Sequence, residues 1–192
     1  MSCTGRDLFL LFVKQRLLED NPELIQNLTV LSDLRVEGGN AELDPVFKGI
    51  EGISSEFMHS RQRQLTKDTA MNHSLDVREE EFQSIVKQVV GASTQNLAEH
   101  IIVVFFFLYD YVMRMYSKGI AKMDQVLGWC QTAVVEGIDP KVTENGGWAP
   151  LFCNENEKQN SQSSKNIFTK VFSFFRGKNK KVVVESTIYV EH

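Results

Sequence analysis

The chain has 192 residues, 42% of them hydrophobic and 24% charged, which suffices for one globular domain with a sizeable core and a tail. Its formal net charge of −4 argues against general nucleic-acid binding, and no nucleic-acid partner is predicted. Three irregularly spaced cysteines predict no disulfide framework. Acidic Asp7 near the start, without a small-residue cleavage site, predicts no secretory signal.

The first predicted helix covers residues 6–19, where apolar side chains recur at steps of three and four. Thr4 is expected to cap this helix, Asp7 completes the spacing of a capping box, and Pro22 ends the helix. A flexible linker is then predicted over residues 21–44, with Gly-Gly near its end.

The second helix is predicted to begin with Asp44 as its cap and Pro45 in its first turn. Its apolar residues follow at steps of four, three and four: Val46, Ile50, Ile53 and Phe57. The polar residues 61–74 predict a short or broken helix, and residues 75–90 predict a further amphipathic one.

Residues 101–109 are apolar without a polar face, a pattern compatible with a buried strand or with a helix surrounded by other elements. Helical patterns on both sides and the continuation to Met115 favour a central buried helix. Charged residues bracket the run, so it is too short to span a membrane by itself. Another helix is predicted over residues 120–136.

Residues 143–148 read Thr-Glu-Asn-Gly-Gly-Trp. Gly146 and Gly147 can adopt a positive φ, so the chain can turn there, and Trp148 then offers a large side chain to bury. This pattern predicts a helix end, a turn and an aromatic anchor. Together the elements predict an all-α core in which polar helices surround one apolar helix.

Four short motifs follow one another in a recognisable order. They are residues 6–12, residues 50–57, residues 96–99 with the apolar run behind them, and residues 142–148 with Gly-Gly-Trp. In order and spacing they resemble the fourth, third, first and second homology regions of the Bcl-2 family of apoptosis regulators. The resemblance implies an all-α, Bcl-2-like helical bundle over residues 1–153, with amphipathic helices around a central hydrophobic helical hairpin.

The resemblance also implies a function, the binding of amphipathic death-motif helices from pro-apoptotic family members in a surface groove. The residues expected at this groove are Phe57, Val86, Val90, Asn96, Ala98, Glu99, Val103 and Phe106. The motif anchors are Ile50, Ile53, Gly146, Gly147 and Trp148. The alternative is that the apolar groove residues are simply core, that Asn96 caps the central helix, and that Trp148 is a packing anchor.

Two positions depart from the family pattern. Glu99 occupies the place of an arginine that typically pairs with a partner's aspartate, and Ser55 replaces an aspartate of the third region. An acid at position 99 would repel the aspartate of such a partner, so either the register is imperfect or this chain binds partner helices weakly, differently or selectively. Arg61 and Lys87 are candidates for a substitute cation.

The match at the N-terminal motif favours a survival-type regulator, and the alternative is a pro-apoptotic member that permeabilises the outer mitochondrial membrane. In a survival-type regulator the helix with Ile50 stays packed in the core, and in a pro-apoptotic member it can be released.

Residues 154–192 form a predicted tail, in which residues 165–181 hold six basic and no acidic residues on an amphipathic pattern. This segment could lie on an anionic or mitochondrial membrane surface, occupy the protein's own groove, or pack as an ordinary helix. The expected location is the cytoplasm, and peripheral binding to the outer mitochondrial membrane is the further possibility.

An enzyme is not predicted, and neither is a cofactor or a metal. The four histidines lie at no metal-ligand spacing, and the glycine pair of the linker lacks the lysine and serine of a phosphate-binding loop. Cys153 is interpreted as a small buried hydrophobe rather than a reactive thiol. Adjacent Glu99 and His100 are not expected to face each other on a helix.

Overall fold

The computed structural model describes residues 4–32, 42–72, 79–91, 96–119 and 123–153. Within these ranges all regular secondary structure is helical, so the all-α prediction is confirmed. The helices are α1 (Gly5–Asp20), α2 (Thr29–Ser32), α3 (Leu43–Met58), α4 (Arg61–Asn72), α5 (Glu79–Gly91), α6 (Leu97–Ser117), α7 (Met123–Gly137), α8 (Asp139–Glu144) and α9 (Trp148–Phe152). The predictions for the linker glycines and for the basic tail segment lie outside the described residues.

Helix α6 is the centre of the bundle. Residues 101–112 are all buried, and α6 packs against α1, α3, α4, α7 and α9. A helix without a polar face can be stable only when other elements surround it, which explains why this run forms the core. Asn96 caps α6, because its side-chain Oδ1 accepts a hydrogen bond from the Glu99 amide at 3.2 Å. The predicted central helix and its cap are therefore confirmed.

Helix α1 begins as the sequence predicts. The Asp7 amide donates to Thr4 Oγ1 at 3.3 Å, and the Thr4 hydroxyl donates to the Asp7 carboxylate at 2.6 Å. The buried side of α1 reaches α6 through aromatic pairs, with ring centroids 5.3 Å apart for Phe9 and Phe105 and 4.9 Å apart for Phe12 and Phe106. Edge-to-face contacts of this kind add to the apolar burial that holds α1 in place.

Three local predictions are wrong. The predicted linker begins with ordered structure, a 3-10 helix at Pro22–Asn27 followed by α2, because three leucines at helical steps pack into the core: Leu24, Leu28 and Leu31. Asp44 does not cap α3: the helix starts at Leu43, Glu42 is its N-cap, and Asp44 lies in the first turn. The polar segment expected to be short or broken is the 12-residue helix α4.

The Gly-Gly-Trp segment forms the predicted turn and anchor. Gly146 and Gly147 have φ of +89° and +102°, and the Gly147 amide donates to the Val142 carbonyl at 2.8 Å, which closes the end of α8. Trp148 is buried at the start of α9, and its Nε1 donates to Asp139 Oδ1 at 3.2 Å. The same oxygen accepts from the Gly5 amide at 3.0 Å, so one carboxylate joins both ends of the described chain.

Candidate helix-binding site

The predicted groove residues are buried in the core. Each of the six apolar ones is at most 8% exposed: Phe57, Val86, Val90, Ala98, Val103 and Phe106. The rings of Phe57 and Phe106 lie in contact, with centroids 5.1 Å apart, whereas Val90 lies against Gly137 of α7. The structure thus brings part of the set together and matches the core alternative for these residues. Of the motif anchors, Ile50 is fully buried and Ile53 is partly buried against the core.

One side of α6 combines apolar and charged residues, and we call it the α6 face. At steps of four, three, four and four it consists of Glu99, Val103, Phe106, Asp110 and Arg114. Such steps place side chains on one side of a helix. Helices α3 and α4 pack over α6, and residues of both contact the α6 face. The face is therefore covered by α3 and α4, and Phe12 of α1 also contacts Phe106.

Arg63 of α4 makes the main polar contact with the α6 face. Its guanidinium pairs with both oxygens of Asp110, Nη1 with Oδ2 and Nη2 with Oδ1 at 2.7 Å, and it lies 4.6 Å from the centre of the Phe106 ring. Burial raises the pKa of Asp110, and the hydrogen bonds and charge of Arg63 offset only part of that rise. The ion pair is almost closed to solvent, with side chains 14% and 5% exposed.

This ion pair is not among the contacts predicted from the sequence, where Arg61 and Lys87 are the candidates for a substitute cation. Both of those side chains are exposed, and Arg63 is the cation that contacts Phe106. The available signal was Asp110 itself, a charged residue that follows an apolar run of nine residues. A carboxylate in such a helix needs a partner when it is buried.

Glu99 has a structural role in addition to its place in the motif. It lies in the first turn of α6, where its amide is capped by Asn96 and where a negative charge is favourable. Burial raises the pKa of Glu99, the Asn96 side chain lowers it through a hydrogen bond, and the charge of Glu56 raises it. Its Oε2 atom is buried and has no hydrogen-bond partner among the described residues. Ser55, the second departure from the family pattern, is exposed.

His100 lies beside Glu99 in sequence but faces another helix. Its Nε2 pairs with the Val90 carbonyl at 3.3 Å, and Lys141 Nζ donates to the same oxygen. Burial, opposed by the hydrogen bond to Val90, lowers the pKa of His100 from 6.5 to about 4. His100 therefore joins α6 to the end of α5 as a neutral ring and forms no acid–base pair with Glu99.

The free energy of unfolding is expected to fall by roughly 2 kcal/mol between pH 7 and pH 5 because of His100. A lowered pKa means that the unfolded chain binds a proton below pH 6.5 while the folded chain does so only near pH 4. The stability that His100 contributes is thus present above pH 6.5 and lost as the pH falls toward 4. Urea unfolding of the wild type and His100→Gln at both pH values measures the difference.

The matched control for that experiment is His59→Gln, because the His59 side chain is exposed. His59→Gln should keep the pH dependence of the wild type, whereas His100→Gln should flatten it. If the free energy of unfolding changes equally with pH in all three proteins, the effect cannot be assigned to His100.

Three further findings concern chemistry and membranes. Cys130 is buried, but Cys153 is exposed, so the prediction of a buried Cys153 is wrong: α9 ends at Phe152, and the next side chain points away from the bundle. Within the described ranges no three His, Cys, Asp or Glu residues come together as metal ligands. None of the described helices is both long enough and apolar enough to span a membrane.

Two comparisons with known proteins give no assignment. A function for this chain is therefore inferred from its motifs and from the geometry of the α6 face. No family model matches the chain, and no curated protein sequence matches it.

Proposed function

We propose that this protein is a Bcl-2-like, survival-type regulator of apoptosis that binds amphipathic death-motif helices of pro-apoptotic proteins. The observation that carries the proposal is the place of each motif in the bundle. The N-terminal motif lies on α1, the third-region motif on α3, the first-region motif at the start of α6, and Gly-Gly-Trp between α8 and α9. A bundle around a buried central helix, with a turn and anchor after it, is the architecture that the resemblance implies.

The α6 face is the proposed binding surface. Its apolar residues Val103 and Phe106 offer the kind of anchor sites that an amphipathic helix fills with side chains at i, i+3 or i+4, and i+7. Both residues are buried beneath other helices. A partner helix therefore reaches them when one of the covering helices moves aside, as in other binding reactions that include a conformational change.

A peptide titration tests the proposal. The full chain is titrated with fluorescent amphipathic peptides that share the apolar spacing and differ in charge, and we expect at least one of them to bind with a Kd below about 100 µM, or roughly 5 kcal/mol. The control peptides have the same composition in scrambled order, so their apolar residues form no face. Absence of binding by every ordered peptide, or equal binding by the scrambled set, would overturn the proposal.

The second candidate is a pro-apoptotic member that permeabilises the outer mitochondrial membrane. It is favoured by α6 and α7, two consecutive helices with many apolar residues that pack against each other, as an inserting hairpin would require. Release of dye from vesicles with mitochondrial lipid composition, with and without an activating peptide, separates the two candidates. No release under either condition removes this candidate.

We also propose a cytoplasmic location with reversible contact at an anionic or mitochondrial membrane through residues 165–181, whose six basic residues suit such a surface. If this segment occupies the protein's own groove instead, deletion of the residues after Asn160 should raise the affinity for peptides. Binding of the full chain to vesicles with and without anionic lipid measures the membrane contact directly.

A further inference from the structure

Few of the α4 side chains that the structure describes are apolar. Its twelve residues include only three apolar ones, Leu65, Ala70 and Met71. Ala70 and Thr66 are buried, and Leu65 is only partly buried. By contrast, α3 buries a full apolar stripe: Leu43, Val46, Phe47, Ile50 and Phe57. Although α4 packs closely along α6, the described apolar side chains that it buries are fewer than those of α3, so apolar burial by them contributes less to its attachment.

Polar contacts to α6 supply much of the remaining attachment. The Arg63–Asp110 ion pair joins the first turn of α4 to the middle of α6, and Arg114 Nη1 donates to the Ala70 carbonyl at 2.5 Å near the other end. A buried ion pair contributes little net stability, because the desolvation of both charges opposes their attraction. Contacts of this kind fix the position of α4, and a helix that brings its own cation could replace them.

The removal of α4 alone would be unfavourable for another reason. Asp110 is 3% exposed and lies on the same side of α6 as Phe106 and Val103. Without Arg63, its carboxylate would keep apolar neighbours and lose its cation, and an unpaired buried charge is strongly destabilising. Arg114 would likewise lose the Ala70 carbonyl. Whatever takes the place of α4 must therefore present apolar side chains, a positive charge for Asp110 and a hydrogen-bond acceptor for Arg114.

We propose that α4 is a displaceable lid over the α6 face, and that the helix that displaces it carries an arginine or lysine that pairs with Asp110. This inference rests on the proposed function and specifies its partner. The Glu99 carboxylate, about 16 Å away along the same side of α6, adds a second negative group with an unpaired buried oxygen. The charge preference is thus opposite to that of a groove whose arginine pairs with a partner's aspartate, and it accounts for the acid at position 99.

Two fluorescent peptides test the preference on the full chain. Both are amphipathic helices with the same apolar residues, and they differ at one central position, which is arginine in one and aspartate in the other. We expect the arginine peptide to bind roughly tenfold more tightly or better, as a charge-assisted hydrogen bond to a buried carboxylate allows. Its binding should also accelerate amide hydrogen exchange in residues 61–72, since α4 leaves the α6 face.

A charge swap identifies the residues responsible. The double variant Arg63→Asp with Asp110→Arg keeps an internal ion pair of reversed polarity, and it should prefer the aspartate peptide. Arg61→Asp is the matched control, because it reverses an exposed charge on the same helix and should leave the preference of the wild type unchanged. Circular dichroism verifies folding. If the double variant does not fold, Arg63→Gln replaces it, and this variant should bind the arginine peptide more tightly than the wild type does.

The possible outcomes separate the two proposals. Binding of the aspartate peptide as tightly as the arginine peptide overturns the charge preference and leaves the proposed function standing. Tight binding of the arginine peptide with unchanged exchange in residues 61–72 overturns the lid. If neither peptide nor any member of the wider panel binds, the proposed function fails and this inference fails with it.

Discussion

Replacement of Gly49 by alanine is expected to lower the free energy of unfolding by about 3 kcal/mol. Gly49 lies in α3 where α9 crosses it, and the added Cβ would overlap the Phe152 carbonyl oxygen and lie 2.9 Å from Phe152 Cβ. Backbone atoms cannot rotate away as a flexible side chain can, so α9 or α3 would have to shift. Urea denaturation followed by circular dichroism measures the change.

Gly52→Ala is the matched control on the same helix. Gly52 is exposed, and no atom lies within 4 Å of the position of an added Cβ. Alanine is the better helix former, so this substitution should raise the free energy of unfolding by about 0.5–1 kcal/mol. If the two substitutions, three residues apart, change the free energy of unfolding in opposite directions, the destabilisation arises at the contact between α3 and α9. Similar effects at both positions would contradict that contact.

Phe106→Ala is expected to have the largest effect of the substitutions considered, a loss of about 3–5 kcal/mol in the free energy of unfolding. The Phe106 ring is 0% exposed and lies at the meeting point of four helices. It contacts Phe12 of α1, Phe57 of α3 and Arg63 of α4, with centroid distances of 4.9 Å and 5.1 Å to the two rings. Truncation leaves a cavity at the centre of the bundle and removes the ring beneath the Arg63 guanidinium.

Leu18→Ala serves as the control, because Leu18 lies on α1 and is 46% exposed, and a change within about 0.5 kcal/mol is expected there. Thermal and urea unfolding of both variants give the comparison. A loss below about 1 kcal/mol for Phe106→Ala would mean that the ring lines an open groove instead of the core.

The sequence predicts the central helix well, but it does not predict whether the surface of that helix is an open groove or a closed core. A run without a polar face has to be buried, so α6 follows from the pattern of residues 101–109. The floor of a helix-binding groove and a closed core use the same apolar residues, so Val103 and Phe106 fit either interpretation. The choice between them depends on where α3 and α4 lie, and the pattern of α6 contains no information about that.

Contacts between distant parts of the chain could not be predicted from local sequence patterns. Arg63 and Asp110 are 47 positions apart, and nothing in the local pattern of α4 indicates that its arginine turns inward. Residues 22–32 fall within the predicted linker because their helical pieces are too short to show a clear period. At Glu99 a local signal was present: its spacing from Asn96 is that of a capping box, which indicates a structural role separate from its position in the first-region motif.

The hydrogen bonds of Asp139 have a consequence for the synthesis of the protein. Gly5 and Asp139 are 134 positions apart, and α1 packs part of its buried side against α6 and α7, which follow it far along the chain. At ribosomal rates of about 5–20 residues per second, the first helix emerges roughly 10 s before its final partners. Phe9 and Phe12 lack their aromatic partners on α6 until that helix has emerged, so the nascent chain presents apolar surface to chaperones, and the bundle closes only after the distant helices have been synthesised.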